Sequence, residues 1–337
     1  MLPSSFKRFL AVAAAAFAAL PAQAGYSGLV IFGDSLSDSG NNFLALNPPP
    51  NPPTNITPAA AITDNFFVPT FTYAPSASYP LGVYSNGPVW ATSFAASLGL
   101  GSGALPSLAG GGNFAFGGAQ TSAAGSAPSL TAQMNMFLDG TGNMAPGGYL
   151  YVVAGGGNNA RAALDAIGGG ANVPGTIAAT AAGYAADIGY IVDTLQAAGA
   201  KDIVVWNTPD LGLAPAVSGL GPQTAGLASL LSDTMNAALA ARLSLEIGVD
   251  IFDLFGLLGD IVTSPPAFGL SNASDACILG QCASSEYLFW DGIHPTARGH
   301  QILAAAMQAQ VVPEPQTLLL AAMGLAALAW RGRRRAG

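Results

Sequence analysis

Four short apolar runs recur along the chain, each bounded by glycine, asparagine or aspartate. All four are continuous rather than alternating with polar residues, and they are rich in β-branched and aromatic side chains. This pattern is typical of strands that are buried on both faces of a parallel sheet. We predict such strands at 29–32, 150–153, 203–206 and 249–252.

The stretches between these runs show helical patterns with proline near their starts and glycine after two of their ends. We predict helices at 88–98, 174–198, 223–247 and 296–310. Strands that alternate with helices indicate an α/β fold. The expected architecture is a three-layer α/β/α sandwich, of flavodoxin-like type, around a central parallel sheet of about five strands.

The first 24 residues have the three parts of a secretory signal peptide. Lys7 and Arg8 form a basic region, residues 9–20 are apolar, and Ala22-Gln23-Ala24 is a small-x-small cleavage site. We therefore expect signal peptidase to remove residues 1–24. The alternative is a buried N-terminal helix.

The C-terminal segment, 313–337, also has three parts. Pro313-Glu314-Pro315 is followed by an apolar run at 318–330 and then by a cluster of arginines. The apolar run is short for a membrane span, which needs about 20 residues, but the arginines mark a cytoplasmic end.

This tail resembles the PEP-CTERM sorting signal of Gram-negative bacteria. The resemblance implies transient retention in the inner membrane and processing by an exosortase-type enzyme. Delivery to the periplasm, the cell surface or the extracellular matrix would follow. A permanent membrane anchor is the alternative, and in either case the domain between the two terminal segments is expected at 25–312.

Residues 43–85 contain many prolines and aromatic side chains. The prolines exclude a central strand or helix, whereas the aromatic side chains are too numerous for a solvated linker. Long loops in compact domains are usually functional or disordered. We expect an insertion that forms a substrate-side wall or lid, or else a packed loop without a role in the site.

Charge and cysteine content exclude several classes of function. The net charge is −8, and Lys and Arg together number only 10. A chain so poor in cations has no surface for a phosphate backbone, so we exclude nucleic-acid binding. Two histidines and two cysteines are too few for a disulfide scaffold or a Cys-rich metal site, and we expect no cofactor. In an exported protein, Cys277 and Cys282 form either a short disulfide or two free thiols.

One of the two histidines stands in a pattern suited to catalysis. Asp291 precedes His294 by three residues in the sequence WDGIHPT, on a predicted turn before the last helix. A carboxylate at this spacing can accept a hydrogen bond from Nδ1 of the imidazole and leave Nε2 as a base. His300 falls within the helix and is expected to be a surface or capping residue.

A histidine base needs a nucleophile, and functional residues of α/β folds lie at the carboxyl ends of strands. The first predicted strand is followed by Gly33-Asp34-Ser35-Leu36. At this point the chain resembles the GDSL/SGNH hydrolase family, whose first block consists of these four residues. Segments at 113–119 (NFAFGGA), 151–158 (YVVAGGGN) and 291–295 (DGIHP) resemble its other blocks in the same order. The resemblance covers residues 29–310.

The resemblance implies an exported serine esterase or lipase that hydrolyses carboxylic esters without a cofactor. Ser35 would be the nucleophile, His294 the general base, and Asp291 the residue that orients the imidazole. The oxyanion hole would consist of the backbone N–H groups of Ser35 and Gly117, with Gly118 as the neighbouring option, and the side-chain amide of Asn158.

The substrate stays open between a lipid, a small ester and an acylated polysaccharide. One alternative is a polysaccharide O-deacetylase of the same mechanism. The other is an inactive binding module on the same fold. Asn159 stands where the family usually has aspartate, which is a departure at a supporting position.

Overall fold

The structure is a computed structural model, and it describes residues 25–46, 82–122, 127–277 and 282–312. The expected signal peptide, most of the 43–85 insertion and the 313–337 sorting segment lie outside the described residues. Tyr26–Ala305 forms one compact unit, which contains every strand. In the second unit the described residues are Gly25 and 306–312, and most of these belong to the last helix.

The four predicted strands are confirmed, and together they form one parallel sheet. Their order in the sheet is the same as their order in the chain. Apart from the first residue of each, the first three strands are buried throughout, as their continuous apolar sequences predict. The strands are β1 Gly28–Gly33, β2 Tyr149–Ala154, β3 Asp202–Trp206 and β4 Val249–Phe252.

Where about five strands were expected, the described part of the chain has four in this sheet. The open edge of β1 is instead covered by the segment 112–116, which forms a single parallel bridge between Ile31 and Asn113. Backbone hydrogen bonds join Ile31 N–H to Gly112 O (2.9 Å) and Phe114 N–H to Ile31 O (2.7 Å). β1 therefore has later parts of the chain on both sides, so the direction of winding reverses at its end. This is the position at which open α/β sheets bind their ligands.

Helices lie on both sides of the sheet, so the predicted α/β architecture is confirmed. The four predicted helices are present as α2, α5, α7 and α9, although α7 ends at Leu243, four residues before its predicted end. The helices are α1 Asn41–Leu46, α2 Trp90–Ser97, α3 Leu130–Gly140, α4 Gly157–Gly168, α5 Val173–Ala197, α6 Pro215–Ser218, α7 Pro222–Leu243, α8 Leu254–Thr263 and α9 Ala297–Val311. Within the described ranges, no helix is both long and apolar enough to cross a bilayer.

The largest core cluster joins β1, β2 and β3 to the apolar faces of α3, α5 and α7. A second, smaller sheet lies outside this layer. Its two parallel strands are β5 Asn272–Ala276 and β6 Tyr287–Phe289. β6 ends at Phe289, and the turn that follows, with Asp291 and His294, lies beside the carboxyl end of β1.

Candidate active site

Ser35 lies in a tight turn directly after β1. The Asp34 side chain accepts a hydrogen bond from Leu36 N–H (3.0 Å), and the Asp34 carbonyl accepts from the N–H groups of Ser37 (3.0 Å) and Asp38 (2.9 Å). These bonds turn the chain sharply as it leaves the sheet. Ser35 is left partly exposed at the carboxyl edge. The turn therefore presents its hydroxyl at the place where the winding of the sheet reverses.

A second turn, after β6, holds Asp291 and His294 together. Oδ1 of Asp291 accepts the backbone N–H groups of Ile293 (2.8 Å) and His294 (2.7 Å), while Oδ2 lies 2.7 Å from Nδ1 of His294. The Trp290 N–H donates to the His294 carbonyl (2.8 Å) and closes the turn. The aspartate at this spacing therefore fixes both the backbone and the imidazole ring.

The two turns meet at one hydrogen bond. Nε2 of His294 lies 2.8 Å from Oγ of Ser35, although the two residues are 259 positions apart in the sequence. Ser35, His294 and Asp291 thus form an unbroken chain of hydrogen bonds from a hydroxyl to a buried carboxylate.

The charges in this row of hydrogen-bonded side chains determine which atoms of Asp291 and His294 carry protons. Burial alone would raise the pKa of Asp291, but the charge of His294 and three hydrogen bonds outweigh burial and lower it. Asp291 is therefore a carboxylate, which can only accept hydrogen bonds, so Nδ1 of His294 carries the proton. In the neutral imidazole, Nε2 is then left as the acceptor that faces the hydroxyl of Ser35.

Asn158 stands in the first turn of α4, where the glycine-rich sequence leaves β2. Its Nδ2 donates to the Ala119 carbonyl (2.9 Å), and its Oδ1 accepts from Nη1 of Arg161 (3.1 Å). Both contacts fix the orientation of the amide group, and within the described residues one of its two N–H protons has no hydrogen-bond partner. Asn159, at the position of the expected aspartate, bonds the Thr121 N–H (3.1 Å) and hydroxyl (2.8 Å) and so supports the same loop.

The glycine pair at 117–118 differs from its expected use. The Gly117 N–H donates to Oδ2 of Asp38 at 2.9 Å. This bond leaves no proton of Gly117 for an oxyanion, which conflicts with the donor role expected for it. In the part of the chain that the structure describes, the N–H groups of Gly118 and Ser35 have no hydrogen-bond partner. Gly118 has a φ of 83°, a left-handed conformation that favours glycine.

Tyr84, at the end of the 43–85 insertion, packs directly on the site. Its ring centroid lies 5.3 Å from that of His294, and its hydroxyl accepts a hydrogen bond from Nδ2 of Asn42 (2.6 Å). A Cβ on Gly117 would overlap the Tyr84 ring, so this close approach requires glycine at 117. The described end of the insertion therefore forms one wall of the site.

Three further buried titratable groups lie near this centre. Burial raises the pKa values of Asp34 and Asp38 to about 6, although backbone N–H groups that bond each carboxylate act in the opposite direction. The expectation that His300 is a surface or capping residue is wrong, since only 1 % of it is exposed. Burial lowers the pKa of His300 to about 3, so this histidine is neutral.

An apolar cavity opens beside the turns that carry Ser35 and His294. It has a volume of about 50 Å³, and all ten residues that line it are apolar. Leu36 adjoins Ser35, Ile293 adjoins His294, and Leu258 extends the lining from α8. The lining therefore favours an apolar group over a polar one in this cavity.

The two cysteines lie in the connection between β5 and β6. Cys277 and Cys282 form a disulfide whose Cα atoms are 5.5 Å apart. Among the residues that the structure describes, no group of three or more His, Cys, Asp or Glu side chains is arranged to hold a metal ion.

Sequence reasoning assigned no role in the site to Asp38 and Asn42, whereas Tyr84 belongs to the insertion that we expected beside the substrate. The sequence signal for Asp38 and Asn42 is the run Asp38-Ser39-Gly40-Asn41-Asn42, in which polar side chains follow a glycine turn and lead into a helix. The contacts of its amide and carboxylate groups are visible only in the fold, where the segment at 113–117 lies against them.

Comparisons with known proteins identify two matching families. The family model described as GDSL-like Lipase/Acylhydrolase matches residues 29–307, and that of the PEP-CTERM protein-sorting motif matches residues 311–335. The second match supports the PEP-CTERM interpretation of the C-terminal tail.

Individual relatives match shorter parts. The chain is 35 % identical over 176 residues to an uncharacterized Pseudomonas putida protein from a trpE-trpG intergenic region, which covers 46 % of this chain and 27 % of that protein. It is 38 % identical over 126 residues to Esterase EstA of Pseudomonas aeruginosa, covering 31 % of this chain and 19 % of that protein. It is 30 % identical over 140 residues to a GDSL esterase/lipase of Arabidopsis thaliana, covering 34 % of this chain and 38 % of that protein.

The chain thus spans less than two fifths of the length of each of these relatives. The family model, in contrast, covers most of the chain and nearly all of the described domain, including both turns of the site. By its sequence, its α/β fold and the position of these turns, the chain belongs to the GDSL-like lipase/acylhydrolase family.

Proposed function

We propose that this protein hydrolyses carboxylic esters by a serine-hydrolase mechanism. The observation that carries the proposal is the hydrogen-bonded chain from Ser35 through His294 to Asp291, with distances of 2.8 and 2.7 Å. A hydroxyl paired with an imidazole base, which a buried carboxylate orients, is the arrangement that activates serine as a nucleophile. The same arrangement disfavours an inactive binding module on this fold.

The reaction proceeds in two halves. Oγ of Ser35 attacks the ester carbonyl while its proton passes to Nε2 of His294, and the carbonyl π electrons move to the oxygen. The tetrahedral intermediate then collapses, the alcohol leaves with the proton from His294, and an acyl-enzyme remains. Water repeats the sequence with His294 as base, which releases the acid and restores the Ser35 hydroxyl. Asp291 stays ionised throughout and stabilises the imidazolium.

The negative charge on the intermediate requires donors. We assign them to the N–H of Ser35, the N–H of Gly118 and the free proton of the Asn158 amide. Gly118 replaces Gly117 in this set because the Gly117 N–H is bound to Asp38. Removing one such donor from a serine hydrolase lowers kcat by about 10²- to 10³-fold.

The apolar cavity favours esters whose acyl part is longer than acetyl. An acetyl group would leave the lining of Leu36, Leu258 and Ile293 unused, whereas each buried methylene contributes about 0.8 kcal/mol. The apolar lining therefore supports a lipid or another ester with a longer acyl part over an acetylated polysaccharide as the proposed substrate. The PEP-CTERM motif indicates export through the corresponding sorting system, and we include cleavage by signal peptidase after residue 24 and processing by an exosortase-type enzyme in the proposal.

A series of p-nitrophenyl esters from acetate to dodecanoate tests this function on the full chain. We expect wild-type protein to hydrolyse the series, with kcat/KM rising from acetate to the medium chains. Ser35→Ala should abolish hydrolysis and labelling by a serine-directed fluorophosphonate without a change in circular dichroism. Absence of both hydrolysis and labelling in the wild type would overturn the enzyme proposal, whereas a clear preference for acetylated polysaccharide would favour the deacetylase alternative.

A further inference from the structure

Residues 38–42, shortly after Ser35, form hydrogen bonds with the segment that leads to Gly117 and Gly118. We call residues 38–42 the clamp. Side chains of the clamp reach across to backbone groups of residues 113–117, more than 70 positions later in the sequence. Asn41 anchors the start of that segment, because its Nδ2 donates to the carbonyls of Asn113 (2.7 Å) and Ala115 (2.9 Å).

Asp38 ties the two loops together at Gly117. Its Oδ1 accepts the N–H groups of Gly40 (2.8 Å) and Asn41 (2.7 Å) within its own loop. Its Oδ2 accepts the Gly117 N–H at 2.9 Å. Asp38 is fully buried, so these bonds are not in competition with solvent. One carboxylate thereby fixes the peptide plane that precedes Gly117.

Asn42 fixes the next peptide plane. Its Nδ2 donates to the Gly117 carbonyl at 3.0 Å, and also to the hydroxyl of Tyr84 at 2.6 Å. A trans peptide is planar, with its C=O and N–H pointing in opposite directions. A hydrogen bond that holds the Gly117 carbonyl therefore sets the direction of the Gly118 N–H at the other end of the same peptide.

We propose that Asp38 and Asn42 are positioning residues that orient the Gly118 N–H as an oxyanion donor. This inference rests on the function proposed above. Gly118, with its left-handed φ and no side chain, has a soft backbone that would otherwise sample several orientations. The clamp removes that freedom before substrate arrives, and a preorganised donor needs no rearrangement during the reaction.

Different residues of the clamp orient the Gly118 N–H and anchor the segment to the rest of the fold. Asn41 and its two bonds hold the segment at 113–115 in place, next to β1. Asp38 and Asn42 bind the next residues of the segment, because Asp38 accepts the N–H of Gly117 and Asn42 donates to its carbonyl. Their loss is therefore expected to change the reaction step more than the folding of the loop.

Two variants of the full chain test the proposal. Asp38→Asn keeps the size of the side chain and can keep the bonds to Gly40 and Asn41, but it turns an NH₂ group towards the Gly117 N–H. Asn42→Ala frees the Gly117 carbonyl and disturbs no buried charge. Asp210→Asn is the matched control, because Asp210 is also buried and accepts an N–H two residues on, from Gly212 at 2.9 Å.

Active sites are first counted with a fluorophosphonate, so that misfolded protein does not enter the rates. We expect kcat per active site to fall about 10²-fold in Asp38→Asn and at least 10-fold in Asn42→Ala, with KM changed less than threefold. Affinity for an alkyl boronic acid, which forms a tetrahedral adduct with the serine, should fall in the same proportion. Asp210→Asn should keep kcat within twofold of wild type.

Variants that lose active fraction or melting temperature, but keep wild-type kcat per active site and boronate affinity, would make the clamp purely structural and overturn the inference. This outcome differs from failure of the proposed function, in which the wild-type protein itself would neither hydrolyse esters nor react with the fluorophosphonate.

Discussion

Asp291→Asn offers the most direct test of how the imidazole is controlled. Asp291 is fully buried and accepts three hydrogen bonds, two from backbone N–H groups and one from Nδ1 of His294. If the amide oxygen of asparagine keeps the two backbone bonds, its NH₂ group faces Nδ1. Nδ1 must then be the acceptor, so the proton moves to Nε2, which donates to Ser35 instead of accepting from it.

The expected loss of rate follows from this change of tautomer. In serine hydrolases of this arrangement the same substitution lowers kcat about 10⁴-fold, which corresponds to about 5.5 kcal/mol of barrier at 1.36 kcal/mol per factor of ten. Stability should change little, because the two backbone bonds persist. Asp291→Ala, in contrast, leaves two buried N–H groups without partners, at a cost of about 1–3 kcal/mol each.

The assay compares kcat on a p-nitrophenyl ester with the free energy of unfolding from urea denaturation. Asp253→Asn is the control, because Asp253 accepts the N–H of Gly256 (2.9 Å) at the start of α8 in a similar turn. We expect the asparagine variant at 291 to be folded and nearly inactive, and the alanine variant to be inactive and less stable. An Asp291→Asn enzyme with kcat within tenfold of wild type would refute the assigned tautomer and the role of Asp291.

Two further predictions concern the cavity and the buried carboxylates. Leu258→Trp, which fills the apolar cavity, should lower kcat/KM for a medium-chain ester relative to acetate about 10-fold or more. The control Leu245→Trp, at a 92 % exposed position, should leave this ratio unchanged. Equal ratios in the two variants would show that the acyl chain does not bind in the cavity. Asp34 has its pKa raised by burial to about 6, against about 3.9 in an unfolded chain. The folded state therefore binds the proton of Asp34 more tightly than the unfolded state does. This difference raises the free energy of unfolding by on the order of 3 kcal/mol. The contribution is complete below about pH 4 and is lost as the pH rises through 6. Urea denaturation between pH 4 and 7 should show this fall in the wild type and a weaker one in Asp34→Asn, with Asp139→Asn as the control; identical pH profiles for the wild type and Asp34→Asn would contradict it.

The sheet and the long helices were predictable because their signals are local. Each strand of the main sheet is a continuous apolar run, and α5 begins at Val173 with Asn172 as its cap and Pro174 in its first turn. The strand β5, with the sequence NASDA, lacks any apolar run, because it belongs to a two-stranded ribbon and not to the buried sheet. Its pairing with β6 is decided by tertiary contacts, which the sequence does not display.

Helix α3 was missed although its sequence contains the signal. Leu130, Met134, Phe137 and Leu138 have helical spacing, and Ser129 caps the helix by accepting the Ala132 N–H at 3.2 Å. His300 was placed wrongly for a different reason. A polar residue in an amphipathic helix is usually exposed, and only the packing of α9 shows that this position is buried.

Within the site, sequence reasoning located the residues that belong to short motifs. Ser35, Asp291 and His294 could be named as candidates because each stands at a strand end or in a turn of recognisable spacing. The structure joins their side chains by hydrogen bonds, and their catalytic roles stay a prediction. The choice between Gly117 and Gly118 could not be made in this way, because it depends on which N–H the Asp38 carboxylate occupies. That contact joins residues 79 positions apart.

The separation of 259 residues between Ser35 and His294 has a consequence for the biosynthesis of the protein. Ser35 is among the first parts of the domain to be synthesised, and His294 is among the last. A nascent chain or a product that ends between residues 253 and 290 contains the GDSL turn and the four strands of the main sheet but lacks His294. If the proposed mechanism holds, hydrolysis therefore begins only after the turn with His294 has been made and has folded against Ser35.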